Sequence, residues 1–237
     1  MLFTTKGIVL HAIKYGETSV IAEIYTETHG MLGFIVSGVR KPQSKMSASA
    51  VQPLSLIELV AYENPKALCR IKEIRLQYVY QDVPFNIIKS GIGLFMAEII
   101  RRTIKEKEEN ATLFSFLYNH FYQLDIVKKH YANIPVFFLL ELSQYLGFYP
   151  QKEGSNAGDV FNLLEGRFTD AQRCNSDCLS SEDSLVWHKI LNIKDEDFKI
   201  LGEERRIVLD NLLRYYKYHI DNFPEINSLR ILRELWQ

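Results

Sequence analysis

HGMLGFIVSGVRKPQSK, residues 29–45, decides how the first third of this chain is read. From Met31 to Val39 apolar and small residues alternate as they do in a half-buried strand, and the strand hands off into a loop carrying Arg40, Lys41 and Lys45. Gly38 and Pro42 punctuate that exit, because proline offers no amide to a ladder and glycine accepts unusual backbone angles. Cations gathered where a strand leaves its sheet suit a polyanion. The same composition also fits an ordinary solvated loop, so the flanking sequence has to decide.

Toward the N-terminus, Phe3 to Tyr15 is rich in β-branched and aromatic residues, and Ser19 to Thr26 alternates, with Val20, Ala22 and Ile24 on one face and Ile21, Glu23 and Tyr25 on the other. Beyond the basic loop, Leu54 to Tyr62 and Ala67 to Leu76 read as two more strands. Turn residues at Gly16, His29-Gly30, Pro42 and Asn64-Pro65 separate the five. A small all-β unit must close or cover its edges, and five strands without an intervening helical pattern predict an oligonucleotide-binding (OB) barrel over residues 1–80. Its last strand places Arg70 and Lys72 on one face, with Lys66 and Arg75 near its ends and Lys6 on the first strand. These line a candidate groove, though each also fits a plain outward charge. Tyr15, Tyr25, Phe34 and Tyr62 are candidates for base stacking or for core.

Charge separates the two parts of the chain. Residues 1–80 hold nine Lys/Arg against six Asp/Glu, while residues 81–237 hold nineteen against twenty-three. The front part is therefore the one suited to an anion. After Pro84 the apolar spacing becomes helical through Ile88, Ile92, Ile99 and Ile104, ending in Arg101, Arg102, Lys105 and Lys107. Asn110 predicts the cap of a helix over Thr112 to His130, and Asn133 that of a third, with Pro135 in its first turn. That third helix, IPVFFLLELSQYL, is apolar almost all round, which predicts the buried centre of a helical domain over residues 81–237. An irregular insertion at about 149–183 holds a short hairpin around Glu165-Gly166. Further helices follow over Ser184 to Leu191, from Asp195-Glu196-Asp197, over Glu203 to Ile220 and over Ile226 to Trp236. The fold class is α+β.

Several chemistries find no residues here. The longest apolar run, Ile134 to Leu140, is far short of a membrane span, and no secretion signal is expected. Three cysteines, Cys69, Cys174 and Cys178, argue against a disulfide scaffold and for the cytoplasm. Cys174 and Cys178 lack a second Cys or His pair, with His188 as the only local addition, so two free thiols are expected rather than zinc. No phosphate-binding loop, GxSxG, HExxH or dinucleotide fingerprint occurs, and the acidic runs at Glu106 to Glu109 and Asp195 to Asp197 fit solvated helix ends. The expectation is a binding protein without catalysis and without a cofactor.

GIVL (7–10), GETS (16–19), TETHG (26–30), SGVRKPQSK (37–45), QPLS (52–55), LELSQYLGFYP (140–150) and SLRILREL (228–235), in that order and spacing, resemble the bacterial recombination mediator family RecO over essentially the whole chain. The resemblance implies a nucleoid-associated DNA-repair protein that binds single- and double-stranded DNA and anneals complementary strands. It would work with RecR and single-stranded-DNA-binding protein (SSB) to load RecA at gaps. Many members hold zinc with two Cys-x-x-Cys pairs. Here QKEGSNAG (151–158) takes the place of the first, and Cys174 and Cys178 are a remnant of the second. By the resemblance, Arg40, Lys41 and Lys45 meet phosphates. An acidic SSB tail ending in an aromatic residue calls for an apolar pocket with a basic rim, for which Phe114, Phe137, Phe138 and Tyr145 with Lys128 and Lys129 are the candidates. The other reading is a protein–protein adaptor that keeps a barrel but no longer binds DNA.

Overall fold

The computed structural model describes residues 1–41, 46–64, 66–152, 158–174, 176–192 and 200–236. These form two compact units, Met1–Ile126 and Val127–Gln237. The first therefore contains two helices besides the strands.

Five strands, β1 (Leu2–Tyr15), β2 (Ser19–Thr26), β3 (Gly30–Val36), β4 (Leu56–Tyr62) and β5 (Cys69–Leu76), close into a barrel in the order β1-β2-β3-β5-β4. Every pairing is antiparallel except β3 with β5, where Phe34 lies opposite Cys69 and Ile35 opposite Arg70. Side chains of a strand alternate across its sheet, so closure sends one set inside and leaves the other out. The interior set includes Val9, Val20, Ala22, Ile24, Phe34, Val36, Ile57, Leu59, Ala61, Cys69, Ile71 and Ile74, all buried. Two bulges shift the alternation. In β5, Ala61 pairs with Ile71 but Val60 with Glu73, so Lys72 is an extra residue; in β1, Leu10 is extra between Val9 and His11.

Two helices of the same unit, α1 (Ile87–Thr103) and α2 (Ala111–Ile126), begin at side-chain caps. Asn86 Oδ1 accepts from the amides of Ile88 and Lys89, and Asn110 Oδ1 from that of Leu113 at 2.9 Å. α2 ends four residues before the expected His130, which itself takes a positive φ of 55°. β1 packs against α1. Tyr25, on the outer face of β2, stacks on Phe114 of α2 with ring centroids 6.3 Å apart, and Arg101 pairs with Glu23. Leu54 starts no strand, because it sits at φ 75°, its amide donating to Val9 and its carbonyl accepting from the Tyr80 hydroxyl. Its side chain enters the gap left by Gly93, where an added Cβ would lie 2.6 Å from Leu54 Cδ1. That close approach accounts for a glycine in mid-helix.

Asp125, near the end of α2, is 1% exposed and ties this arrangement together. Its carboxylate accepts from the amides of Gln81, Asp82 and Val83 at 2.8–2.9 Å and from the Tyr78 hydroxyl at 2.7 Å. Its carbonyl accepts from Lys89 Nζ, fully buried in α1, which also lies 2.8 Å from Asp82. Burial alone would raise the carboxyl, but the four donated bonds outweigh it and hold Asp125 below the usual carboxylate value. Burial and the bond to Asp125 push the Tyr78 hydroxyl up to about 12.

The second unit holds α3 (Ile134–Tyr145), the hairpin β6 (Asp159–Asn162) and β7 (Arg167–Asp170), and helices α4 (Ser181–Leu191), α5 (Gly202–His219) and α6 (Asn227–Leu235). Asn133 does not cap α3 with its side chain; its Oδ1 accepts from Arg205 instead. α3 and α4 pack on α5, with Tyr216 Oη donating to Leu139 and Tyr215 Oη to Phe148, both at 2.7 Å. Trp187, Phe161 and Tyr215 fill the space beneath the hairpin. The expected free thiols are corrected here: Cys174 and Cys178 form a disulfide, with Cα atoms 6.1 Å apart. Sulfurs bonded to each other are not thiolate ligands, and no zinc-finger-like insertion is shown. The helix start expected at Asp195 to Asp197 lies outside the described residues. No described helix is long and apolar enough to cross a membrane.

Asp125→Ala is expected to cost about 3–5 kcal/mol, since it strands four donors in a buried site. A carboxyl held low in the fold contributes stability above its unfolded value, near 3.8, and loses it as pH falls through the lower folded value. Urea unfolding followed from pH 7 to pH 3 should therefore show an acid-side loss in the wild type that Asp125→Asn flattens. Gly30 lies at φ 60°, and a Cβ there would overlap the backbone oxygens of Glu106 and, at 2.7 Å, Glu108. Gly30→Ala should lower thermal stability by about 1–3 kcal/mol.

Candidate nucleic-acid interface

The basic loop leaves the barrel beside the β1–β2 turn. Arg40 donates its amide to Thr18 O at 3.0 Å and its guanidinium to Gly16 O at 3.4 Å, while the Lys41 amide closes a turn onto Gly38, whose φ is 73°. Both cations are exposed, and neither pairs with an acidic group among the described residues. The backbone is therefore pinned while the charges face solvent. Lys45 lies outside the described residues.

The outer faces of β1 and β5, with Lys66 just ahead of β5, carry the remaining candidates. Lys66, Arg70 and Lys72 are exposed, as is Lys6. Arg70 and Lys66 make no described ion pair, whereas Lys72 lies 3.4 Å from Glu73, Lys6 lies 3.8 Å from Glu27, and Arg75 pairs with Glu58. Exposed pairs of this kind contribute little to stability. A groove of about 810 Å³ runs between Thr4, Met46, Glu58, Lys72 and Arg75, and a second of about 540 Å³ is lined by His29, Leu32, Lys66, Leu68 and Lys107.

Parity across the strands sorts the aromatic candidates. Tyr25 and Phe34 are 1% and 0% exposed and belong to packing, the core alternative of the two open to them. Tyr15 and Tyr62 are 54% and 49% exposed. Sequence reasoning misses the outward Ile21 and Ile35 as surface residues, although the alternation around Val20, Ala22 and Phe34 marks them.

The apolar pocket with a basic rim needs a similar correction. Phe114 belongs to the first unit, where it is 2% exposed, and Phe138 is fully buried in α3, so neither ring is open to a ligand. Lys128, Lys129 and Tyr145 are exposed in the second unit, and Phe137 is half-buried.

Comparison with known proteins supplies the family. Residues 1–80 match the family described as recombination protein O N terminal, and residues 84–228 match recombination protein O C terminal. Among relatives, the DNA repair protein RecO of Bacteroides fragilis is 36% identical. The proteins of that name from Azobacteroides pseudotrichonymphae and Flavobacterium psychrophilum are each 32% identical. All three comparisons cover the full length of both chains. With both halves matched in order, the chain belongs to the recombination protein O family.

Proposed function

We propose that this protein is a DNA-repair recombination mediator that binds DNA through its barrel and brings complementary strands together without catalysing a bond change. The observation that carries the reading is the loop at Arg40 and Lys41. Its backbone is fixed to the β1–β2 turn while Arg40 and Lys41 make no ion pair among the described residues, beside a barrel that also exposes Lys66, Arg70 and Lys72. Membership of the recombination protein O family supports the same role.

Annealing needs no nucleophile. Two strands repel through their phosphates, and a surface that neutralises some of them on each strand lowers that repulsion and raises local concentration. Contacts that read the backbone rather than base edges let the register slip until complementary pairing takes over. In this reading the protein meets single- and double-stranded DNA, works with RecR, and helps load a recombinase on gaps covered by SSB. Exposed Lys128 and Lys129 with Tyr145 are proposed to receive the acidic SSB tail. The adaptor reading predicts no salt-sensitive DNA affinity at all.

The test is strand annealing with and without SSB, together with equilibrium binding of a labelled single strand over a salt series. Arg40→Ala combined with Lys41→Ala is expected to slow annealing and to flatten the log–log salt dependence by about 0.7 for each phosphate the protein no longer neutralises. An unchanged slope would remove the loop from the interface.

A further inference from the structure

The register of the barrel runs one row of outward side chains across all five strands. Ile13 lies opposite Ile21, Ile21 opposite Ile35, Ile35 opposite Arg70, Arg70 opposite Tyr62, and Tyr62 opposite Leu2, back on β1. Their chain neighbours Val20, Ala22, Phe34, Val36, Cys69, Ile71 and Ala61 belong to the interior cluster, so the row itself faces outward. Ile13, Tyr62 and Leu2 are 49%, 49% and 48% exposed, and Ile21 and Ile35 are partly exposed.

An apolar row on the outside of a small barrel implies an occupant, and the surrounding charge says of what kind. Arg70 sits within the row, with exposed Lys72 two positions further along β5 and Lys66 just before it. None of these cations is buried, and Arg70 and Lys66 have no described acidic partner. The occupant must therefore offer flat apolar faces and regularly spaced negative charge together. An unpaired nucleic-acid strand does so. A duplex keeps its phosphates but hides its base faces inside the stack.

We propose that this row is a base-stacking track selective for unpaired strands, with Tyr62 as its specificity-determining residue; the proposal rests on the DNA-binding reading above. Bases of a single strand lie on Tyr62 and, on the far side of Arg70, on Ile35 and Ile21, while phosphates meet Arg70 and the flanking lysines. When two strands pair, their base faces leave the track, and the duplex keeps only its phosphate contacts. Pairing thereby weakens the hold on the product and gives annealing a direction.

The test measures the full chain at one fixed salt concentration with a labelled oligothymidylate and with a labelled hairpin duplex of matched charge. Tyr62→Ala is expected to weaken oligothymidylate binding about tenfold, the scale of losing one base–aromatic stack, while duplex affinity stays within about twofold. Tyr62→Phe keeps the ring and should restore single-strand affinity, and an unchanged thermal midpoint for both variants confirms the fold. Equal losses on both substrates, or no loss on the single strand, would overturn the track while leaving the DNA-binding reading standing. A wild-type protein that binds neither substrate would overturn both.

Discussion

Barrel closure is the constraint on which everything else in the first unit depends. Once five strands meet end to end, alternation is no longer a local preference, because a residue turned the wrong way either vacates the interior or forces a polar group into it. Val20, Ala22, Phe34, Val36 and Ile71 are committed to the inside, and their neighbours Ile21, Ile35 and Arg70 are committed to the outside by the same geometry. The surface available for binding is thus the complement of the core. A barrel of this size is filled by its own side chains and has no room for an internal ligand, which leaves only its outer face and its loops for any contact.

A closed barrel still needs its covered side fixed in place, and here polar chemistry does what apolar packing does not. Asp125 gathers three consecutive amides and a tyrosine hydroxyl from the segment that leaves β5, and the buried Lys89 joins the same cluster from α1. A fully satisfied buried network specifies one arrangement where a greasy contact would allow several. Leu54 against Gly93 adds a steric key. Within this unit the side of the barrel bearing Tyr25 is thereby assigned to the helices, while Tyr62 and Arg70 are exposed.

Much of this is legible in the residues themselves. Strand positions follow from alternation, and the helix starts at Asn86 and Asn110 lie within a few residues of where their periodicity points. What stays hidden depends on distant partners. Nothing local distinguishes Asp125 from a solvated acid, since its donors lie more than forty positions away in the chain. Phe114 and Phe138 look alike as candidates until neighbours bury them. Cys174 and Cys178 have a spacing equally consistent with thiols, a remnant metal site or a bond, and only their placement at 6.1 Å between Cα atoms decides. Of the basic loop, the sequence shows where cations gather but not that the Arg40 backbone is moored to the neighbouring turn.

The extra residue at Lys72 also governs how β5 divides its labour. A regular strand that points Arg70 outward would point Ile74 outward and Arg75 inward, placing a guanidinium among aliphatic side chains. The bulge resets the phase midway, so one short strand shows cations at both ends while it keeps Cys69, Ile71 and Ile74 in the interior. A single irregular step in the ladder thus lets a strand too short for two separate jobs supply a continuous inner wall and a longer charged outer edge.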